Sequence, residues 1–193
     1  MLYIGVDPGL NGAVAAIDQE GRVIALADTP TIKVRKGKGQ RSEYVEPSMA
    51  MLLEGITQSY ASTCCKDCAK LDPAIVARHT LVTIENVHAM PKQGVASSFS
   101  FGVGYGIWRG IIAALRLPCE RVEPTTWKRL LGLPKAKGAA VSKACRLFPR
   151  AEIGHPYRGR MIYSDGRAEA LLIAWYALQL GPTHAKRAVQ KAL

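Results

Sequence analysis

Hydrophobic positions fall into short dense runs near the start and middle of the chain, with helical spacings between and after them. Tyr3, Ile4 and Val6 have the β-branched and aromatic character of a buried strand, and Asp7 interrupts that run where an apolar residue would cost nothing. Pro8-Gly9 predicts a tight turn and Asn11-Gly12 punctuates. A second apolar run follows over 13–17, then a third over 22–27 behind Gly21. Together these predict a three-stranded antiparallel meander ended by Asp28 and Thr29-Pro30. A compact β-branched run at 81–84 delivers Glu85 at its end, and a short strand is predicted at 119–122 after the Leu117-Pro118 break. Helical spacing predicts 46–59, with Met49, Leu52, Leu53 and Ile56 on one face, and 99–115. It also predicts a short helix opened by Pro124 that carries Trp127, Leu130 and Leu131, and another over 139–148. Ser164 caps a strongly apolar helix over 165–180, with Ala168, Leu171, Leu172, Trp175 and Leu178 on its packed side.

Residues 31–42 have no hydrophobic period and read as a basic mobile loop. Residues 87–98 read as a loop, 150–163 as irregular, and 182–193 as a short basic tail. Gly102, Gly106 and Gly110 recur every four residues inside a predicted helix, each at a cost of about 1 kcal/mol relative to alanine. That predicts a face where another backbone comes close, either the sheet or a dimer mate. The alternation of strand and helix predicts an α/β fold. If the strand ending in Glu85 lies beside the first in a mixed sheet, Asp7 and Glu85 share one edge of it.

With 193 residues the chain suits a single domain, 1–193, and is too short for the two-lobed sugar-kinase and actin-like proteins that also begin with a strand and Asp-x-Gly. Its 48% hydrophobic and 21% charged residues are ordinary for a globular protein, and no run approaches the roughly 20 apolar residues of a membrane span, so no membrane partner is expected. The N-terminus enters a strand without the basic start and apolar core of a signal peptide. That predicts a cytoplasmic protein, with the five cysteines mostly free thiols. Cys65 and Cys68 have zinc-knuckle spacing, but no second pair follows; free thiols at a helix end, Cys64 included, are favoured over structural zinc.

Charge changes the picture. Twenty-six Lys and Arg against 15 Asp and Glu give +11, which suits a polyanion such as nucleic acid. The excess is clustered: 31–42 holds Lys33, Arg35, Lys36, Lys38 and Arg41 with no acid. Residues 127–150 hold Lys128, Arg129, Lys135, Lys137, Lys143, Arg146 and Arg150, again with none. Both stretches are predicted to track phosphates.

Against that background four acids stand out: strand-end Asp7 and Glu85, and Asp165 and Glu169 one turn apart at the start of the last apolar helix. Taken singly, Asp7 could cap its own turn, and the helical pair could complement the helix dipole. Gathered together they would repel one another unless divalent cations sat between them, and oxygen-only ligands suit Mg²⁺ or Mn²⁺. Two such ions roughly 4 Å apart can activate water and stabilise a leaving oxygen in phosphodiester hydrolysis.

Ile-Gly-Val-Asp-Pro-Gly at the start, Ile84-Glu85-Asn86-Val87, Trp127-Lys128 and the run from Asp165 through Glu169 to Ala174 resemble the RuvC family of Holliday junction resolvases. Lys92-Gln93-Gly94, Phe101-Gly102 and Leu147-Phe148-Pro149 make the resemblance greatest to its chloroplast-type and phage-type branch. The resemblance spans almost the whole chain. It implies a ribonuclease H-like fold, a mixed five-stranded sheet with helices on both faces, in a homodimer that cuts opposing strands of a four-way DNA junction by paired nicks. It further implies two Mg²⁺ per active site, replaceable by Mn²⁺, no small-molecule cofactor, and a bacterial or phage-infected cell. Carried over, Asp7, Glu85, Asp165 and Glu169 match the family's metal-binding carboxylates, and Lys128 matches a basic residue that faces DNA. The spacing of four between Asp165 and Glu169 departs from the spacing of three in bacterial members and agrees with the chloroplast-type branch. His88 stands where bacterial members place a bulky wedge. DNA contacts are therefore expected from Lys33, Arg35, Lys36, His88, Met90, Lys92, Gln93, Lys128, Lys135, Lys137 and Arg167, with residues 87–95 entering the junction centre. The alternatives are a YqgF-like nuclease acting on ribosomal RNA precursors and a non-catalytic junction-binding protein.

Overall fold

The computed structural model describes residues 1–37, 39–64, 72–86, 88 and 94–192, apart from the side chains of Lys36, Cys64, Lys191 and Ala192. Its centre is a five-stranded mixed sheet built from β1 (Leu2–Asp7), β2 (Ala13–Ile17), β3 (Val23–Asp28), β6 (Thr80–Glu85) and β7 (Cys119–Val122), in the order β3-β2-β1-β6-β7. The first three strands form the predicted antiparallel meander, while β6 pairs with both β1 and β7 in parallel. With helices on both faces, this is the ribonuclease H-like arrangement.

The strand period of two divides the core cleanly. Leu2, Ile4 and Val6 of β1, with Val82 and Ile84 of β6, face a cluster that includes Met49, Leu53, Trp108 and Ile112 from α1 (Glu46–Cys64) and α3 (Val95–Ala114). Tyr3 and Leu81 face the opposite layer, built from α4 (Pro124–Leu130), α5 (Ala139–Leu147), α6 (Asp165–Gln179) and α7 (Gly181–Ala192). Asp7 and Glu85 continue the Tyr3 and Leu81 registers, so both carboxylates fall on the α6 face. That layer is thin because the residues that meet there are small. A side chain at Gly5 would collide with the Ala170 carbonyl and the Ala174 nitrogen of α6, and Ala13 and Ala15 line the same surface.

Several segments are more ordered than their composition predicts. The 31–42 stretch is a hairpin, with β4 (Thr31–Lys36) antiparallel to β5 (Gly39–Tyr44). Ile32 and Val34 alternate with Lys33 and Arg35, a period of two hidden by the basic residues, and Gly37 takes the positive φ of the turn (58°). Residues 150–163 contain a second hairpin, β8 (Gly154–Tyr157) and β9 (Arg160–Tyr163). Arg158 and Gly159 both have positive φ (46° and 76°), as a two-residue turn of the favoured hand requires. The predicted basic tail is α7, which buries Ala185 and Val189 one turn apart against the α6 layer. Two predicted helices are also longer: α1 runs to Cys64, and α3 starts at Val95. A short α2 (Pro73–Arg78), N-capped by Asp72 through the Ala74 N–H at 2.9 Å, precedes β6.

Gly102, Gly106 and Gly110 lie on the exposed side of α3, and an added Cβ at any of them meets nothing within 4 Å. The sheet is therefore not what approaches that face. The close approach is at Gly104, off the stripe, where a side chain would overlap the Tyr44 ring and come within 2.7 Å of the Pro8 carbonyl. Cys65 and Cys68 lie outside the described residues. Among the described residues, no helix is long and apolar enough to cross a membrane.

Candidate active site

Asp7 ends β1, and parallel pairing sets Val6 opposite Ile84, so Asp7 and Glu85 leave adjacent strands at one edge of the sheet. Asp7 accepts a hydrogen bond from the Gly9 N–H at 3.3 Å, so it does cap its own turn. That turn also seats α6. A side chain at Gly166 would collide with the Asn11 carbonyl and lie 2.8 Å from Gly12 Cα, so glycine lets the first turn of α6 rest on the β1–β2 connection. Four residues after Asp165, on the same helix face, the chain presents Glu169 to the sheet edge.

Asp7, Glu85 and Glu169 are near enough to act on one another's charge. Burial, and then the charges of Glu85 and Glu169, push the Asp7 carboxyl up to about 7; the Gly9 hydrogen bond and Lys128 pull the other way without offsetting them. Burial also raises Glu85, which is only 8% exposed, against the pull of a hydrogen bond from Trp127 Nε1 to Glu85 Oε1 at 2.9 Å; Glu169 and Glu123 raise it further. Lys128 Nζ forms an ion pair with Glu169 Oε1 at 2.7 Å and lies 4.9 Å from the centre of the Trp127 ring. Burial lowers Lys128, but Glu169, Glu85 and Asp7 outweigh it and hold the ammonium above its ordinary range. One half-exposed lysine thus faces three carboxylates. Asp165 is the exposed first residue of α6.

As arranged, no three His, Cys, Asp or Glu side chains among the described residues stand close enough to hold an ion. The donor chemistry nevertheless fits a hard divalent cation: Asp7, Glu85 and Glu169 offer only oxygen, and their mutual repulsion is incompletely compensated.

The residues expected to meet DNA divide into groups. Lys33 and Arg35 are exposed on β4, with Lys33 Nζ donating to Ser42 Oγ at 2.7 Å, and Lys36 closes the same strand. Lys135 and Lys137 are exposed between α4 and α5. Lys128 faces the acid cluster rather than standing free on the surface. Arg167 is committed within the chain: its guanidinium donates to both Asp28 oxygens at 2.6 and 2.9 Å and to the Glu152 carbonyl at 2.7 Å, which ties α6 to the end of β3. With these donors engaged and 23% of its side chain exposed, it clamps α6 to the end of β3. His88 is exposed, with Nε2 3.0 Å from Glu123 Oε1. Met90, Lys92 and Gln93 lie outside the described residues, as does most of the segment expected to enter a junction.

Two partners of the site are not evident in the sequence. Trp127 stands there as a residue of its helix and as part of the Trp127-Lys128 motif, with no contact to Glu85 expected, yet its indole nitrogen meets Glu85. Glu123, immediately before Pro124, carries no signal in the sequence, although it approaches the site through Asn86 and His88.

No family model matches the chain, and no curated protein sequence matches it. Among solved structures it is similar to Thermus thermophilus RuvC in complex with a Holliday junction substrate, at 16% identity and a TM-score of 0.47, covering 93% of this chain and 94% of that one. It is similar also to another Thermus thermophilus RuvC structure, at 16% identity and a TM-score of 0.45, covering 93% of this chain and 96% of that one.

Proposed function

We propose that this chain is a metal-dependent, structure-selective endonuclease, a crossover junction endodeoxyribonuclease that resolves four-way DNA junctions by paired nicks in opposing strands. The observation that carries the reading is the convergence of Asp7, Glu85 and Glu169 on one sheet edge, around a single lysine, in a chain of net charge +11. Carboxylates gathered beside a polyanion would only weaken its binding unless cations joined the two. Asp7, Glu85 and Glu169, with Asp165 at the rim, would hold two Mg²⁺ or Mn²⁺. When bound, such ions polarise water and neutralise charge developing on the phosphate. The chain's own contributions are distinct. Trp127 fixes one oxygen of Glu85, Gly9 orients Asp7, and Lys128 compensates Glu169. The exposed basic side chains of β4 and of the α4–α5 connection track the backbone away from the site.

The choice of a four-way junction rests on the motif resemblance. Paired nicking needs two sites, and the exposed side of α3 supports a homodimer: Phe99, Gly102, Val103, Gly106 and Gly110 lie along it, with Phe99 73% exposed. Small residues there would let a second α3 approach closely. The test is to offer a synthetic four-way junction, a duplex of the same sequence and a structured RNA, each with Mg²⁺ or EDTA. Mg²⁺-dependent cleavage of the junction alone is expected. Preferential RNA cleavage would favour the ribosomal RNA precursor reading, and binding without cleavage would favour a scaffold.

A further inference from the structure

We propose that Glu123 is a positioning residue that sets Glu85 for cation binding, acting through Asn86; this deepens the nuclease reading and rests on it. Glu85 is the last residue of the β6 ladder, opposite Val122 of β7. One residue on, the Asn86 N–H donates to the Val122 carbonyl at 2.8 Å, and its side-chain amide is used at both ends. Asn86 Nδ2 donates to Glu123 Oε1 at 2.6 Å, while Asn86 Oδ1 accepts from the Tyr105 hydroxyl of α3 at 2.8 Å. Asn86 therefore bridges α3 to the β7–α4 junction. His88 Nε2 lies 3.0 and 3.1 Å from the two oxygens of the same Glu123 carboxylate, which gathers the chain on both sides of position 87.

From the other direction, Trp127 of α4 holds Glu85 Oε1 directly. Glu123 and Trp127 are four residues apart, across the first turn of α4, so one short element grips both the Glu85 carboxylate and the backbone that follows it. A carboxylate at position 123 adds negative charge beside an already crowded acid cluster. Fold stability alone does not call for that, since the Glu123 side chain is 44% exposed and makes no hydrogen bond to the first turn of α4. What the charge provides is a strong, two-oxygen acceptor for Asn86 and His88. Groups that orient cation ligands in this way typically change affinity or activity by about 10- to 100-fold when removed.

The test compares Glu123→Ala, Glu123→Gln and Tyr105→Phe with the wild type. Three quantities are read: Mn²⁺ affinity by electron paramagnetic resonance without DNA, junction affinity without metal, and junction cleavage across a Mg²⁺ titration. Glu123→Ala is expected to weaken Mn²⁺ binding by about tenfold or more and to raise the Mg²⁺ needed for half-maximal cleavage correspondingly. Junction affinity should be equal or slightly higher, and Glu123→Gln should fall between Glu123→Ala and the wild type, because its amide oxygen still accepts from Asn86 while the charged, two-oxygen acceptor is lost. Tyr105→Phe should move Mn²⁺ affinity in the same direction by less. Wild-type Mn²⁺ affinity in Glu123→Ala would overturn the proposal, as would a loss in which Gln is as damaging as Ala. A wild-type chain that binds Mn²⁺ but cuts no junction would overturn the nuclease reading while leaving the Mn²⁺ comparison to decide the role of Glu123.

Discussion

Lys128 Nζ lies 2.7 Å from Glu169 Oε1, and this pair places one positive charge beside the Asp7, Glu85 and Glu169 carboxylates. An ammonium and a divalent cation answer the same electrostatic demand there. Lys128→Met should lower metal-free stability at pH 8 by about 1–2 kcal/mol, less than a fully buried pair because the Lys128 side chain is 38% exposed. The variant should then show a larger rise in melting temperature on adding Mg²⁺ than the wild type. Differential scanning fluorimetry with EDTA and with Mg²⁺ reads both quantities.

Asp7 makes stability depend on pH. Its carboxyl sits at about 7 in the folded chain against an ordinary 3.8, raised chiefly by burial and then by Glu85 and Glu169. Between those values the native state holds a proton that the unfolded state has released. The resulting stabilisation is full below about pH 4 and lost as pH rises through about 7. Metal-free melting temperature should therefore fall across that window, less steeply in Asp7→Asn, and at pH 8 the variant should melt above the wild type. Parallel pH profiles of the two proteins in EDTA would contradict the assignment.

Gly5 is the point where β1 and α6 come nearest. Gly5→Ala would drive a methyl group into the Ala170 carbonyl and the Ala174 nitrogen, backbone atoms that cannot rotate away. A destabilisation of about 3 kcal/mol is expected, at the upper end for overpacking. Denaturant unfolding checks it. Because the same close approach carries Glu169 toward Asp7, Mn²⁺ affinity should fall as well.

The β4–β5 hairpin presents Lys33 and Arg35 to solvent, with Lys36 at its turn end. Replacing all three by Ala should weaken junction binding and reduce the salt dependence of log K by about one unit for each phosphate no longer neutralised. Fluorescence anisotropy from low to high salt measures the slope. An unchanged slope would make the hairpin a solvated surface.

The sheet was legible because β1, β2 and β6 are buried on both faces and read as dense apolar runs; the register that aligns Asp7 with Glu85 follows from two such runs pairing in parallel. Ser164 announced α6 correctly, and its side chain accepts from the Arg167 N–H at 3.2 Å. The two hairpins escape a sequence reading for a common reason. β8 and β9 bury almost nothing, and β4 alternates β-branched with basic residues, so neither leaves a hydrophobic record. The glycine stripe on α3 was visible, but Gly104, which does meet other atoms, was not distinguishable from it. Asp165 and Glu169 looked equivalent in sequence; in the structure Asp165 is exposed at the first residue of α6, whereas Glu169, one turn on, pairs with Lys128. Arg167 looked like another free cation, since its partner Asp28 is 139 residues away.

The central claim is that the acids cut while the basic surface binds. The most direct measurement follows a labelled four-way junction with wild type and with Asp7→Asn, Glu85→Gln, Asp165→Asn and Glu169→Gln, scoring binding by gel shift in EDTA and cleavage in Mg²⁺. The account predicts symmetric, ligatable nicks from the wild type only, with every variant binding as tightly as the wild type or more so, because negative charge beside DNA has been removed. Wild-type cleavage by Asp7→Asn or Glu85→Gln, or junction binding lost together with cleavage, would contradict it.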